Sequence, residues 1–92
     1  MIKKCVNWIS KSRELADEYY RAMTTWVTSR RTIGSVKVLV KLASAYKRAL
    51  DLALICLRKL KSSKEVEIEI AKTQNYKALI LDDIRLLSRL KE

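Results

Sequence analysis

Ninety-two residues with ten more Lys and Arg than Asp and Glu make one strongly basic domain, long enough to bury roughly two-thirds of its unfolded surface without staples. Histidine is absent, which removes the commonest general base and the commonest transition-metal ligand. One glycine and no proline exclude folds built on many turns and leave long helices joined by tight connections.

The chain reads as all-α, three long helices in an antiparallel bundle at about 3–31, 35–61 and 63–91. In the first, Cys5, Trp8, Ile9, Ser12, Leu15, Ala16, Tyr19, Ala22, Met23 and Trp26 recur at helical spacing. Arg30 and Arg31 suit a helix C-terminus, and Gly34 supplies the turn conformation there. Ser35 is placed to cap the second helix, whose main apolar face runs from Val36 through Leu39, Ala43, Tyr46 and Leu50 to Leu57. A further apolar line, Val38, Leu42, Ala45, Ala49, Leu52 and Cys56, leaves only a narrow polar strip, so this helix is the centre of the assembly. Ser62-Ser63-Lys64-Glu65 has the form of a capping box opening the third helix. Its first turns alternate Glu65-Val66-Glu67-Ile68-Glu69-Ile70, a strand-like period. No partner strand exists elsewhere, and Val66, Ile70, Thr73, Tyr76, Ile80, Ile84 and Leu87 continue at helical spacing, so a helix is expected.

Two cysteines are too few for a disulfide scaffold. A hairpin centred on Gly34 pairs residues whose numbers sum to about 67, leaving Cys5 and Cys56 roughly 9 Å apart along the axis. That is too far to bridge, and the expectation is two small buried hydrophobes. The N-terminal residues hold no apolar run of signal-peptide length, and Val36–Leu60 carries too many charges to cross a bilayer. These features point to a cytoplasmic protein. Scarce side-chain amides beside abundant Ile, Leu, Val, Lys and Arg point to a thermophilic source.

The charge is one-sided. Residues 1–33 carry seven Lys/Arg against three acids, residues 34–61 seven against Asp51 alone, and residues 62–92 six against six. A localised excess of this kind suggests a surface that meets an anion. The second helix supplies the sharpest candidate: Lys37, Lys41, Lys47, Arg48, Arg58 and Lys59, with Arg30 and Arg31 at the hinge end. Such a row can track a phosphate backbone by charge alone, without reading sequence. Tyr20, off the core stripe, is the aromatic nominated for base stacking. Leu42, Ala45, Ala49, Leu52, Leu79 and Leu86 exceed what one three-helix core hides and form a candidate docking surface for a larger protein or a homodimer.

Nothing in the chain suggests an enzyme. Asp82 and Asp83 are adjacent, so on a helix they diverge by about 100° and cannot share an ion. No phosphate loop, nucleophile elbow or Cys/His cluster is present. The expectation is therefore no catalytic residue, no metal, no cofactor and no small-molecule substrate. Burying the Trp8–Trp26 stripe inside the bundle accounts for it better than a membrane does. The sequence thus points to a small non-catalytic accessory subunit of a nucleic-acid machine, such as a replication or repair polymerase or an RNA-guided complex. The alternative is a purely structural module or homodimer whose basic face meets an acidic protein. A helix-turn-helix regulator about Gly34 is outweighed, because the flanking helices are too long and Arg30 stands where that motif wants a small residue.

Overall fold

The computed structural model describes residues 2–28 and 33–90, the side chains of 33–35 excepted. A single 3-10 turn, Ile2–Cys5, leads into α1 (Val6–Thr28), followed by α2 (Ile33–Arg58) and α3 (Lys64–Leu90). Among the described residues there is no strand. The molecule measures 47 × 20 × 16 Å. The expected all-α bundle is what the chain forms, and the period-two run Glu65–Ile70 lies within α3.

Each helix end has a chemical cause. The last turns of α1 are rich in threonine, and Thr24, Thr25 and Thr28 each return their hydroxyl to a carbonyl of the preceding turn (Tyr20, Arg21 and Thr24) at 2.8–3.0 Å. Such back-bonding weakens a helix, and the described part of α1 ends at Thr28; the expected end at about 31 lies outside the described residues. At the far end of α2 the amides of Lys59 and Leu60 bond to the carbonyls of Cys56 and Leu57, a tightened last turn. The cap of α3 falls one residue later than expected. The Val66 amide donates to Ser63 Oγ at 3.2 Å, while Ser62 Oγ donates to Glu67 Oε1 at 2.9 Å. Glu65 and Glu67 then lie in the first turn, where the helix dipole favours carboxylates.

Heptads organise the packing. Cys5, Ser12 and Tyr19 are buried at intervals of seven on the first helix, and Val66, Thr73, Ile80 and Leu87 on the third. Facing them, α2 buries Val36, Ala43, Leu50 and Leu57 together with Leu39, Tyr46, Ala53 and Leu54. This is the pattern of long helices meeting at small crossing angles. The core joins Tyr19, Val36, Leu39, Ala43, Tyr46, Leu50, Ile80 and Leu87, and full burial of Leu50 or Ile80 contributes about 1.5–3 kcal/mol each. Both α1 and α3 pack along α2 but not along each other, so α2 is indeed central. The described link between the outer helices is the Tyr19 hydroxyl donating to Asp83 Oδ2 at 2.8 Å.

The hinge is not at Gly34. Because α2 begins at Ile33, Gly34 and Ser35 lie inside its first turn, and the expected capping role of Ser35 is displaced. Cys5 stands opposite Cys56, so facing residues of the first two helices sum to about 61, not 67. That six-residue correction brings the cysteines together. Cys5 and Cys56 form a disulfide with a Cα–Cα distance of 5.7 Å, and the expectation of two free thiols is overturned. The link clamps the first turn of the chain to the last turns of α2. The antiparallel register also removes the crossed geometry that a helix-turn-helix about Gly34 would need.

Candidate nucleic-acid interface

Opposite its buried seam, α2 presents a continuous solvent-facing row: Lys37, Lys41, Ser44, Arg48, Ile55 and Lys59, all exposed. Steps of four, three, four, seven and four keep these positions on one side of the helix. Lys37 and Lys59 are separated by about 33 Å along the axis, roughly one turn of a duplex. Arg58 is exposed beside Lys59 at the helix end. Arg30 and Arg31 lie outside the described residues.

Lys47 does not belong to this row. Its Nζ pairs with Asp51 Oδ2 at 2.9 Å, and Lys77 Nζ on α3 pairs with Asp51 Oδ1 at 2.6 Å. Asp51 had looked like a lone acid in a cationic strip; it is the anchor of a lysine pair joining α2 to α3. Partial burial pushes its carboxyl upward, but the hydrogen bonds and charges of Lys77 and Lys47 outweigh this and hold it below the ordinary carboxylate range. Without Lys47 the outward row retains Lys37, Lys41, Arg48 and Lys59, with no carboxylate among its members.

The disulfide thickens the positive charge at one end. By seating Cys5 on Cys56 it places exposed Lys3 and Lys4 at the end of α2 that carries Arg58, Lys59 and Lys61. Next to them Trp8, 40 % exposed, forms a shallow cleft with Lys4, Asn7 and Lys11. Sequence periodicity assigned Trp8 to the core stripe. Helical spacing sets it about 60° from Cys5, at the edge of the Cys5–Ser12–Tyr19 seam, and only the cations three and four residues away hinted at another role. An indole flanked by lysines is a stacking platform for bases.

Tyr20, the expected stacking residue, sits elsewhere. It lines a groove of about 530 Å³ between α1 and α3, with Tyr46 and Leu50 on the floor and Arg13, Lys72 and Tyr76 along the walls. Its ring meets Tyr19 edge-on at 5.0 Å and Tyr46 at 6.5 Å. Small side chains keep it open: Ser12 and Ala16 on α1 and Thr73 on α3 line it. Ser12 and Thr73 return their hydroxyls to Ile9 and Glu69 carbonyls of their own helices at 2.7 and 2.8 Å. Burial raises the phenols here. Tyr46 is pushed up to about 12 by burial and then by neighbouring Tyr20 and Tyr76. Tyr19 is raised well beyond the ordinary phenol range by burial and the Asp83 carboxylate, and Tyr20 is raised by the same two causes.

The expected docking line on α2 is largely covered. Ala49 is buried between helices, and Leu42 packs against the core. Ala45 is exposed and Leu52 half-buried on the basic face, away from Leu79 and Leu86, which stand about half exposed on α3. The six residues therefore do not form one surface. Among the described residues no group of three or more His, Cys, Asp and Glu could hold a metal ion, and Asp82 pairs on the surface with Arg85 at 3.7 Å. No described helix is long and apolar enough to cross a membrane. No family model, curated protein or solved structure matches the chain at a significant level.

Proposed function

We propose that this protein binds the phosphate backbone of DNA or RNA through the outer face of α2, without sequence specificity and without catalysis, as a small accessory subunit of a nucleic-acid machine. The observation that carries the reading is the exposed row Lys37, Lys41, Arg48 and Lys59, four cations on one side of the helix. The one acid of α2, Asp51, is engaged by Lys47 and Lys77 off the row. Cations spaced along about 33 Å of a rigid helix can each displace a condensed counterion from a polyanion, which is the main source of non-specific affinity. Trp8, with Lys4 and Lys11, extends the site toward single strands by offering an indole face to an unpaired base. We propose a cytoplasmic setting as well; because disulfides are rare in the cytosol of mesophiles, the Cys5–Cys56 link fits that compartment only in a hyperthermophilic cell.

Replacing Lys37, Lys41, Arg48 and Lys59 together by alanine removes exposed charge and leaves the buried seam untouched. The variant is expected to keep the helical circular-dichroism spectrum and to lose backbone binding by a similar factor on every sequence tested. Trp8→Ala is expected to weaken single-strand binding by about 1–3 kcal/mol and duplex binding far less. Undiminished binding by the quadruple variant would remove the α2 row from the account.

A further inference from the structure

We propose that the face formed by α1 and α3 is the contact surface of a homodimer, in which two copies stack groove to groove and turn their α2 rows outward. The inference does not rest on the nucleic-acid reading. It starts from where the exposed apolar side chains fall. Among the described residues, eleven large hydrophobics stand exposed, and nine lie on the two outer helices; beside Trp8 in its lysine-flanked cleft they are Val6, Tyr20, Val27, Ile68, Tyr76, Leu79, Leu86 and Leu90. Helical spacing puts the first three on the groove side of α1 and the other five on the facing side of α3. Tyr20, Tyr76 and Leu79 line the groove itself, while Val6 and Ile68 line its continuation toward the N-terminal end.

The area fits a second copy. Each of these side chains is 44–57 % exposed. At about half exposure, two tyrosines of about 150–250 Å² and six smaller aliphatic side chains together present roughly 600–700 Å² of mostly apolar surface. A monomer's largest apolar patch is about 300–600 Å², whereas a standard stable interface buries about 800 Å² on each partner. The shape agrees. Two parallel helices flank an antiparallel third and leave the diagonal position of a four-helix arrangement empty. Two such faces laid together make a four-helix layer of α1 and α3 from both copies, with α2 on either outside.

Charge selects a copy over an acidic partner. The chain carries ten surplus positive charges, yet the groove lining holds Arg13 and Lys72 against Asp17, Glu65 and Glu69. Both walls carry both signs: Arg13 with Asp17 on α1, Lys72 with Glu65 and Glu69 on α3. Under a twofold axis each cation can face a carboxylate of the other copy, so this face is nearly neutral and can complement itself. The α2 face, by contrast, repels its own kind.

The test is the mass of the full chain in solution by sedimentation equilibrium, together with the paired variants Leu79→Glu/Leu86→Glu and Val38→Glu/Ile55→Glu. The first pair places carboxylates on the α1/α3 face and the second on the α2 face. The proposal expects twice the 10.7 kDa chain mass for the wild type and for the α2 pair. It expects an increase of about 30-fold or more in the dimer dissociation constant for the α1/α3 pair. Carbodiimide cross-linking of mixed isotopically labelled wild-type copies needs no substitution. It is expected to join Lys72 of one copy to a carboxylate of the α1/α3 face of the other. A monomeric wild type, a dimer broken only by the α2 pair, or inter-copy links confined to α2 would overturn the proposal.

Discussion

Cutting the Cys5–Cys56 bond is the perturbation whose cost can be worked most fully from the structure. The linked residues are 51 apart, so the closed loop contains all of α1, the connection and most of α2. In the chain-entropy treatment a loop of this size removes about 14 cal/mol/K from the unfolded ensemble, on the order of 4 kcal/mol at 25 °C. A domain of 92 residues unfolds with an entropy of about 190 cal/mol/K near 60 °C, so losing the link should lower Tm by about 20 °C. The assay is thermal denaturation followed by circular dichroism, comparing oxidised protein, protein kept reduced, and Cys56→Ser. Cys56 is the better site to substitute, because Cys5 is wholly buried and a hydroxyl there adds a penalty of its own. Reduced protein and the variant should fall together, well below the oxidised form. Equal midpoints for all three, or ready alkylation of both cysteines in the folded unreduced protein, would refute the clamp.

Three further outcomes follow from the packing. Ile80→Ala empties a fully buried position where α3 meets the core and should cost about 2–5 kcal/mol in urea unfolding, against less than about 0.5 kcal/mol for Ser44→Ala on the outer face of α2. Asp51→Asn removes the anchor of Lys47 and Lys77 and should destabilise by about 1 kcal/mol at neutral pH. Because the folded carboxyl titrates below its unfolded value of 3.8, that difference is fully present above this pH and should be lost as the solution is acidified below it, through the lower folded value. At the alkaline end the sign reverses. Tyr19, Tyr20 and Tyr46 titrate above the unfolded phenol value of 10.0, so their contribution is complete below pH 10.0 and declines as pH rises beyond it. Absorbance at 295 nm should show delayed ionisation in the folded protein, and Tyr46→Phe should remove a component near pH 12; an unaltered curve would contradict the burial assigned to Tyr46.

The helices were legible in the sequence because heptads and the scarcity of glycine and proline leave few other options. The hinge was not. Gly34 is the obvious turn residue, but a single glycine inside a first turn costs a helix little. Three threonines in the last described turns of α1 return their hydroxyls to the helix backbone, a weaker-looking signal just ahead of the connection. That displacement carried the cysteine prediction with it, since a shift of six in register decides whether two thiols meet. For the basic row, periodicity alone put Lys37, Lys41, Arg48 and Arg58 on one line with Lys59 at its flank, and all five are exposed. It could not show that Lys47 and Asp51 rotate toward α3, because that depends on Lys77, a residue distant in sequence. The exposed apolar face was partly visible in Leu79 and Leu86. Its completion by Val6, Tyr20 and Val27 required knowing that α1 and α3 stand apart.

The α2 row is tested most directly by fluorescence anisotropy of labelled DNA and RNA, single- and double-stranded, titrated with the wild-type protein at several salt concentrations. Four engaged phosphates predict a log–log salt slope of about −3.6 on duplex DNA and about −2.8 on single strands, with more if Lys4, Lys11 and Arg58 join the contact. A slope at least that steep, with little dependence on base sequence, is the predicted result. No binding at low salt, or a slope near zero, would contradict it and leave the outer face of α2 a solvated surface.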